Sequence, residues 1–94
     1  MKTTQTDHPH IIRVEGILGG EPVVKGTRTP VRAIVENWRM GVPPEQIPQR
    51  LPHLNMAQVF DALGYFEDHE QEILSYVELN RIPAGHLQPV EQQI

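Results

Sequence analysis

The chain has 94 residues, no cysteine and a formal net charge of −4. This length predicts one domain, and the absence of cysteine excludes disulfides and thiolate chemistry, which is typical of a cytoplasmic protein. No apolar run approaches the roughly 18 residues of a membrane span, and the first ten residues lack the apolar segment of a signal peptide.

The charge is distributed unevenly along the chain. Residues 1–50 hold seven Lys/Arg and five Asp/Glu, a balance of +2, whereas residues 51–94 hold one Arg and seven acids, a balance of −6. A general nucleic-acid binder is basic overall, because phosphate neutralisation supplies much of its affinity. Any DNA surface must therefore be local. A domain this small also buries a modest share of its surface, so we expect a homo-oligomer or a complex.

The first third of the chain predicts a flexible start and two strands. Residues 1–10 are polar and aperiodic, which predicts a flexible lead-in. Apolar runs at residues 11–14 and 22–26, separated by a Gly-Gly turn, predict a short hairpin or arm. Gly26 is the expected positive-φ residue before the first helix.

The first helix is predicted to start with Thr29 as N-cap and Pro30 as its first residue, and to end before Gly41. Helical spacing predicts a buried face of Val31, Ile34, Val35 and Trp38. The opposite face is predicted to hold Arg32, Glu36 and Arg39. A second helix is predicted over residues 44–50, irregular or shortened because Pro48 lies inside it.

The third helix is predicted to begin after Asn55 as N-cap, with an inner stripe of Met56, Val59, Phe60 and Leu63. Its outer face is predicted to be Gln58, Asp61, Ala62 and Tyr65. A capping-box pattern at Asp68 and Gln71 predicts a fourth helix that ends near Asn80, with Ile73, Leu74 and Val77 inward. Further apolar residues away from that stripe indicate a contact with another chain: Tyr76, Leu79 and Ile82.

Several motifs occur in a characteristic order. The segment GGEPVVKGTRTPV at residues 19–31 precedes Gly41, PEQI at 44–47, LPHLN at 51–55, QV at 58–59, ALGY at 62–65 and EI at 72–73. In order and spacing these motifs resemble the family catalogued as domain of unknown function 433 (DUF433). The resemblance implies a mainly α fold, a small helical bundle with a homeodomain-like or winged-helix-like helix-turn-helix. The short β-hairpin or arm would lie N-terminal to this bundle. It also implies a VapB-type antitoxin, encoded beside a PIN or PIN-like ribonuclease toxin.

We accordingly divide the chain into a lead-in at residues 1–10, a helix-turn-helix domain at residues 11–80 and a tail at residues 81–94. The predicted DNA contacts are Lys25, Arg28, Arg32 and Arg39 to phosphates, with Asn55 and Gln58 near bases. Two alternatives remain open. For Arg28 we favour a structural role, in which it ties the hairpin to acids of later helices, over a DNA or partner contact. The third helix is also compatible with plain packing on the core.

No catalytic or metal-binding pattern is visible in the sequence. Ser75 has no histidine at helical spacing, and His69 lies among acids without a His-x3-His pair. We therefore expect no enzyme, no cofactor and no metal. The leading hypothesis is a VapB-like antitoxin that binds its toxin through Tyr76, Leu79 and Ile82 and represses its own operon as a dimer. The alternative is a protein-interaction or regulatory module without DNA binding.

Overall fold

The computed structural model of the protein describes residues 2–86, with side-chain burial described as far as residue 80. A three-stranded antiparallel sheet comes first, in the order β1 (Thr3–Gln5), β2 (Ile11–Val14), β3 (Val23–Val24). Four helices follow: α1 (Val31–Arg39), α2 (Ile47–Arg50), α3 (Met56–Asp68) and α4 (Glu70–His86). The fold is thus mixed rather than purely helical. Helix α1 packs against both α3 and α4, and α3 also contacts β2.

Strand β1 lies in the segment that was predicted to be a flexible lead-in, so that prediction is wrong for residues 3–5. The strand pairs with β2, placing Thr3 opposite Val14 and Gln5 opposite Ile12. All three residues of β1 are exposed. An edge strand that buries no side chain carries no apolar alternation, and the sequence therefore gives no hydrophobic signal for it.

The hairpin of β2 and β3 confirms the two predicted strands. Ile11 pairs with Val24, and Ile12 pairs with Val23. Ile11, Val23 and Val24 are fully buried, so this hairpin contributes directly to the core. Gly26 follows with φ of +83°, as expected.

Helix α1 keeps its predicted end but starts one residue late. Pro30 is the N-cap, and the hydroxyl of Thr29 contacts His53 instead of capping the helix. Gly41, with φ of +100°, follows the last turn. The buried face contains Val31, Ile34 and Val35 as predicted, but Trp38 is 41% exposed, which corrects its assignment to the core.

The second helix is short and irregular, as Pro48 predicted. A 3₁₀ turn at Pro44–Gln46 runs into the four-residue α2. Pro48 lies in the first turn of α2, where its missing N–H costs no intrahelical hydrogen bond. Ile47 is fully buried and anchors this connection to the core.

Helix α3 begins at the predicted N-cap, Asn55, but its buried face is rotated from the prediction. The buried residues are Val59, Ala62, Tyr65 and Phe66. Ala62 and Tyr65 were predicted to face outward, whereas Phe60, predicted to face inward, is 53% exposed. The rotation follows from polar contacts: the Tyr65 hydroxyl is compatible with burial because Arg13 and Glu72 bond to it.

The helical conformation is interrupted between α3 and α4 at His69, whose φ and ψ are −138° and 45°. Helix α4 begins at Glu70 and Asp68 is the last residue of α3, so the predicted capping role of Asp68 is wrong; its side chain bonds to His8. Helix α4 buries Ile73 and Val77 as predicted. It continues to His86, beyond the predicted end near Asn80, so the backbone of residues 81–86 belongs to a helix rather than to a tail.

One polar network joins the sheet to the last two helices. An Arg13 guanidinium nitrogen (Nη1) lies 2.6 Å from the Glu72 carboxylate, and Nη2 donates to the Tyr65 hydroxyl at 2.7 Å. That hydroxyl donates to Glu72 at 3.1 Å. Burial acts to raise the pKa of Glu72, but its hydrogen bond and charge interaction with Arg13 lower it below the ordinary value.

This lowered pKa makes stability sensitive to acid. The contribution of Glu72 is complete above its ordinary pKa of 4.5 and is lost as the pH falls through the lower folded-state pKa. We predict that Glu72→Gln reduces the loss of stability between about pH 5 and pH 3, measured by urea unfolding. Glu70→Gln, at an exposed position two residues away, is the control. Equal slopes for the wild type and Glu72→Gln would contradict the prediction.

Candidate functional site

A basic loop at residues 25–29 connects β3 to α1. The Thr27 hydroxyl donates to the Val24 carbonyl at 2.8 Å and accepts from the Thr29 N–H at 2.9 Å, which fixes the turn. Lys25 and Arg28 are exposed on it. Neither side chain has a hydrogen bond or ion pair within residues 2–80, so Arg28 makes none of the expected ties to later acids there.

The basic loop meets the start of α3 through one contact. The Thr29 hydroxyl lies 2.5 Å from His53 Nε2. An open depression of about 750 Å³ lies beside this contact and includes Arg28 in its wall. Three apolar residues from the sheet and the following loop also line it: Ile12, Val14 and Ile17. Arg28 and His53, which lies three residues before α3, thus line the same depression.

The other predicted phosphate contacts lie elsewhere. Arg32 Nε is 2.8 Å from the Glu21 carboxylate, which is only 4% exposed, and Arg32 also approaches Glu36 at 3.8 Å. Arg39 lies at the far end of α1, roughly 12 Å along the helix from its start. It borders a depression with Met40 and Val77. Lys25 and Arg28 therefore stay without an ion pair within residues 2–80, whereas Arg32 is paired with Glu21 and Arg39 lies at the other end of α1.

The predicted base-reading residues use their carbonyl oxygens internally. Asn55 Oδ1 accepts from the Gln58 N–H at 2.9 Å, and Gln58 Oε1 accepts from the Asn55 N–H at 2.8 Å. Bidentate adenine recognition needs both the oxygen and the nitrogen of such an amide. In this capping box one lone pair of each side-chain oxygen is already used, whereas the amide NH₂ groups make no hydrogen bond within residues 2–80.

The three residues predicted to bind a partner have different environments. Tyr76 is half-buried and packs against the core. Leu79 is 61% exposed on α4. The side chain of Ile82 lies outside the described residues. Of the two described side chains, that of Leu79 is the one that is mostly exposed to solvent.

An apolar groove that the sequence analysis missed lies between α1 and α3. It has a volume of about 230 Å³ and is lined by Trp38, Leu63, Gly64 and Phe66, with Glu67 at its edge. The Trp38 and Phe66 rings meet edge to face at 6.2 Å. Phe60 lies one turn before Gly64 on the same side of α3. Apolar residues at Met56, Phe60 and Leu63, spaced i, i+4 and i+7, were the available signal, but they had been assigned to the core.

A second unexpected cluster surrounds His8, in the turn between β1 and β2. Its Nδ1 is 2.8 Å from Asp61 Oδ1 and its Nε2 is 2.8 Å from Asp68 Oδ2. Asp61 Oδ2 also accepts from the His10 N–H at 2.8 Å. Burial acts to lower the pKa of His8, but the hydrogen bonds to Asp61 and Asp68 raise it above the ordinary value. This cluster holds the turn against α3.

Comparison with known proteins gives a consistent match. The model of the family described as "Protein of unknown function (DUF433)" matches residues 11–66. A crystal structure of a DUF433 member protein from Anabaena variabilis ATCC 29413 is similar, with a TM-score of 0.68 and 25% identity. The similarity covers 73% of this chain and 68% of that one. No curated protein matches the chain. Within residues 2–86, no helix is long and apolar enough to cross a membrane.

The Glu21–Arg32 pair gives a test of the role of Arg32. We predict that Arg32→Ala destabilises the fold by about 3 kcal/mol, because it leaves the Glu21 carboxylate buried without its partner. Arg39→Ala, on the exposed end of the same helix, should change stability by less than about 0.5 kcal/mol. Urea unfolding at neutral pH measures both. Similar small effects for the two variants would show that Arg32 is not held by Glu21 in solution.

Proposed function

The chain belongs to the DUF433 family, and from that premise we propose that it is a non-catalytic protein-binding module that docks its partner on the apolar groove. The observation that carries this proposal is the exposure of Trp38 and Phe60 beside the groove. Large aromatic side chains exposed next to a concave apolar surface are typical anchors of protein interfaces.

The stripe along α3 supports a helical or flat apolar partner. Met56, Phe60 and Leu63 are spaced as one face of a helix. Glu67, one turn after Leu63, is a polar residue at the end of that face. Trp38 of α1 forms the opposite wall of the groove. An amphipathic helix placed here would bury apolar side chains at i, i+3 or i+4 spacing in the groove.

An acid in the wall of the groove favours a basic partner. Glu67 lines the groove, and residues 51–80, which include α3, contain six acids and no Lys or Arg. Complementary charge steers association and opposes wrong partners. A basic surface such as the RNA-binding cleft of a PIN-like ribonuclease has this chemistry. The antitoxin role that the family resemblance implies is therefore one form of this proposal, and the groove replaces Tyr76, Leu79 and Ile82 as the main contact.

We predict that the double variant Trp38→Ser/Phe60→Ser binds a PIN-like ribonuclease encoded beside the gene at least about 10-fold more weakly than the wild type, because two aromatic anchors are lost. Isothermal titration calorimetry with the purified ribonuclease measures the affinity. Both side chains are substantially exposed, so the variant should remain folded, as circular dichroism would verify.

Leu79→Ser is the matched control, because Leu79 is equally apolar and exposed but lies on α4. Its affinity should match the wild type. A loss confined to Leu79→Ser would move the interface to α4, and no binding by the wild type would overturn the ribonuclease as partner. Sedimentation of each protein alone completes the test: a dimer broken by the double variant would show that the groove takes a second copy of the chain.

DNA binding is a second candidate function, supported by a specific observation. Lys25 and Arg28 are exposed and unpaired within residues 2–80, and Arg28 lines the same depression as His53, three residues before α3. A helix N-terminus and unpaired cations together suit phosphate oxygens. Recognition of operator DNA through this region would use contacts to the phosphate backbone of the DNA, because the side-chain oxygens of Asn55 and Gln58 each accept a hydrogen bond in the capping box.

We predict that Lys25→Ala and Arg28→Ala each weaken binding to upstream operator DNA and each reduce the slope of log affinity against log salt by about one unit. Fluorescence anisotropy over a salt series measures the slope. Lys2→Ala, which removes an exposed charge from outside this region, is the control. Absence of any salt-dependent binding by the wild type, with and without the ribonuclease, would exclude the DNA-binding function.

A further inference from the structure

The cluster around His8 has the composition of a metal site. The chain repeats the dipeptide Asp-His, at residues 7–8 and 68–69. The first pair lies in the turn between β1 and β2, and the second lies at the break between α3 and α4. One ligand atom from each of Asp7, His8 and Asp68 lies within 4.8 Å of the others. His69 Nε2 is 3.3 Å from Asp7 Oδ1, so a second imidazole borders the same point.

The orientation of His8 is set by a carboxylate on its far side. Its Nδ1 bonds to Asp61, which is itself fixed by the His10 N–H. An imidazole that ligates a metal commonly donates its other N–H to a carboxylate in this way, which fixes the tautomer and turns the free nitrogen toward the metal. Here Nε2 points toward Asp68 and the Asp7 side. The His8 ring is held further by its edge-to-face contact with Tyr65 at 5.4 Å.

We infer that Asp7, His8 and Asp68 bind a divalent transition-metal ion, with Zn²⁺ the best fit. Imidazole nitrogen with carboxylate oxygen suits zinc, whereas magnesium and calcium prefer oxygen ligands alone. Without the metal, a proton on His8 Nε2 joins His8 to Asp68; the metal replaces that proton. Ligand atoms around tetrahedral zinc lie slightly farther apart than the present 2.8 Å. Asp68 is exposed at a helix end and can move outward by that amount.

The site would connect the N-terminal hairpin to the junction of α3 and α4, two segments that are about sixty residues apart in sequence. The ligands from these segments are brought together by folding, so the metal binds the folded state and stabilises it. This inference is independent of the proposed protein-binding function, because none of its residues lines the apolar groove.

The experiment uses the untagged full chain, treated with EDTA and exchanged into metal-free buffer. Calorimetry with zinc chloride should give saturable binding of one Zn²⁺ per chain, and zinc should raise the midpoint of thermal unfolding while magnesium chloride does not. Asp7→Asn and Asp68→Asn should each bind zinc at least about 10-fold more weakly. Both positions are exposed, so both variants should remain folded in EDTA.

Glu70→Gln is the matched control, because Glu70 is an equally exposed acid next to His69 that lies outside the cluster. It should bind zinc like the wild type. Cobalt substitution provides a second measurement: an intense visible absorption band that is lost in His8→Gln would identify tetrahedral coordination with His8 as a ligand. Absence of one-to-one binding, or wild-type affinity in both Asp variants, would show that the cluster is only a set of internal ion pairs and would overturn the inference.

Discussion

The burial of a single phenol on α3 determines how the parts of this protein fit together. Tyr65 is 1% exposed, and its hydroxyl bonds to Arg13 of β2 and Glu72 of α4. Its ring stacks on the His69 ring, with the ring centroids 4.2 Å apart, and makes an edge-to-face contact with the His8 ring. A buried hydroxyl without partners would cost several kcal/mol. The sheet, α3 and α4 must therefore keep their relative positions for the core to close.

Local signals in the sequence predicted the elements whose ends are determined locally. Gly41 ends α1, Pro48 shortens α2 and Asn55 caps α3, because each acts through its own backbone geometry or through a neighbour within a few residues. Strand β1 depends instead on backbone pairing with β2, and the orientation of α3 depends on contacts across some fifty residues, such as Arg13 with Tyr65. Hydrophobic periodicity does not report such contacts, and it ranks Phe60 above Tyr65 as a core residue.

The same limit applies to the functional residues. Charge led us to Lys25 and Arg28 as phosphate contacts; both side chains are exposed on the loop, and their contact with DNA stays a prediction. It gave Arg32 the same role, although Glu21, eleven residues earlier, holds that guanidinium. The repeated Asp-His dipeptide did not by itself predict the cluster around His8, because its members become neighbours only when the turn between β1 and β2 folds onto α3. The residue types at these positions indicated which side chains could bind a ligand or partner, but tertiary contacts decided which of them are free to do so.

Helix α3 has three faces with three different uses. Val59, Ala62 and Phe66 fill the core, and a second face carries Asp61, Tyr65 and Asp68, whose polar atoms are used within the chain to hold the hairpin and α4. The third face carries Met56, Phe60 and Leu63. If α3 were a DNA-reading helix, its polar face would have to be free and its apolar faces covered. In α3 the polar face is engaged within the chain and one apolar face stays partly exposed, which supports the proposal of a protein partner over base reading by this helix.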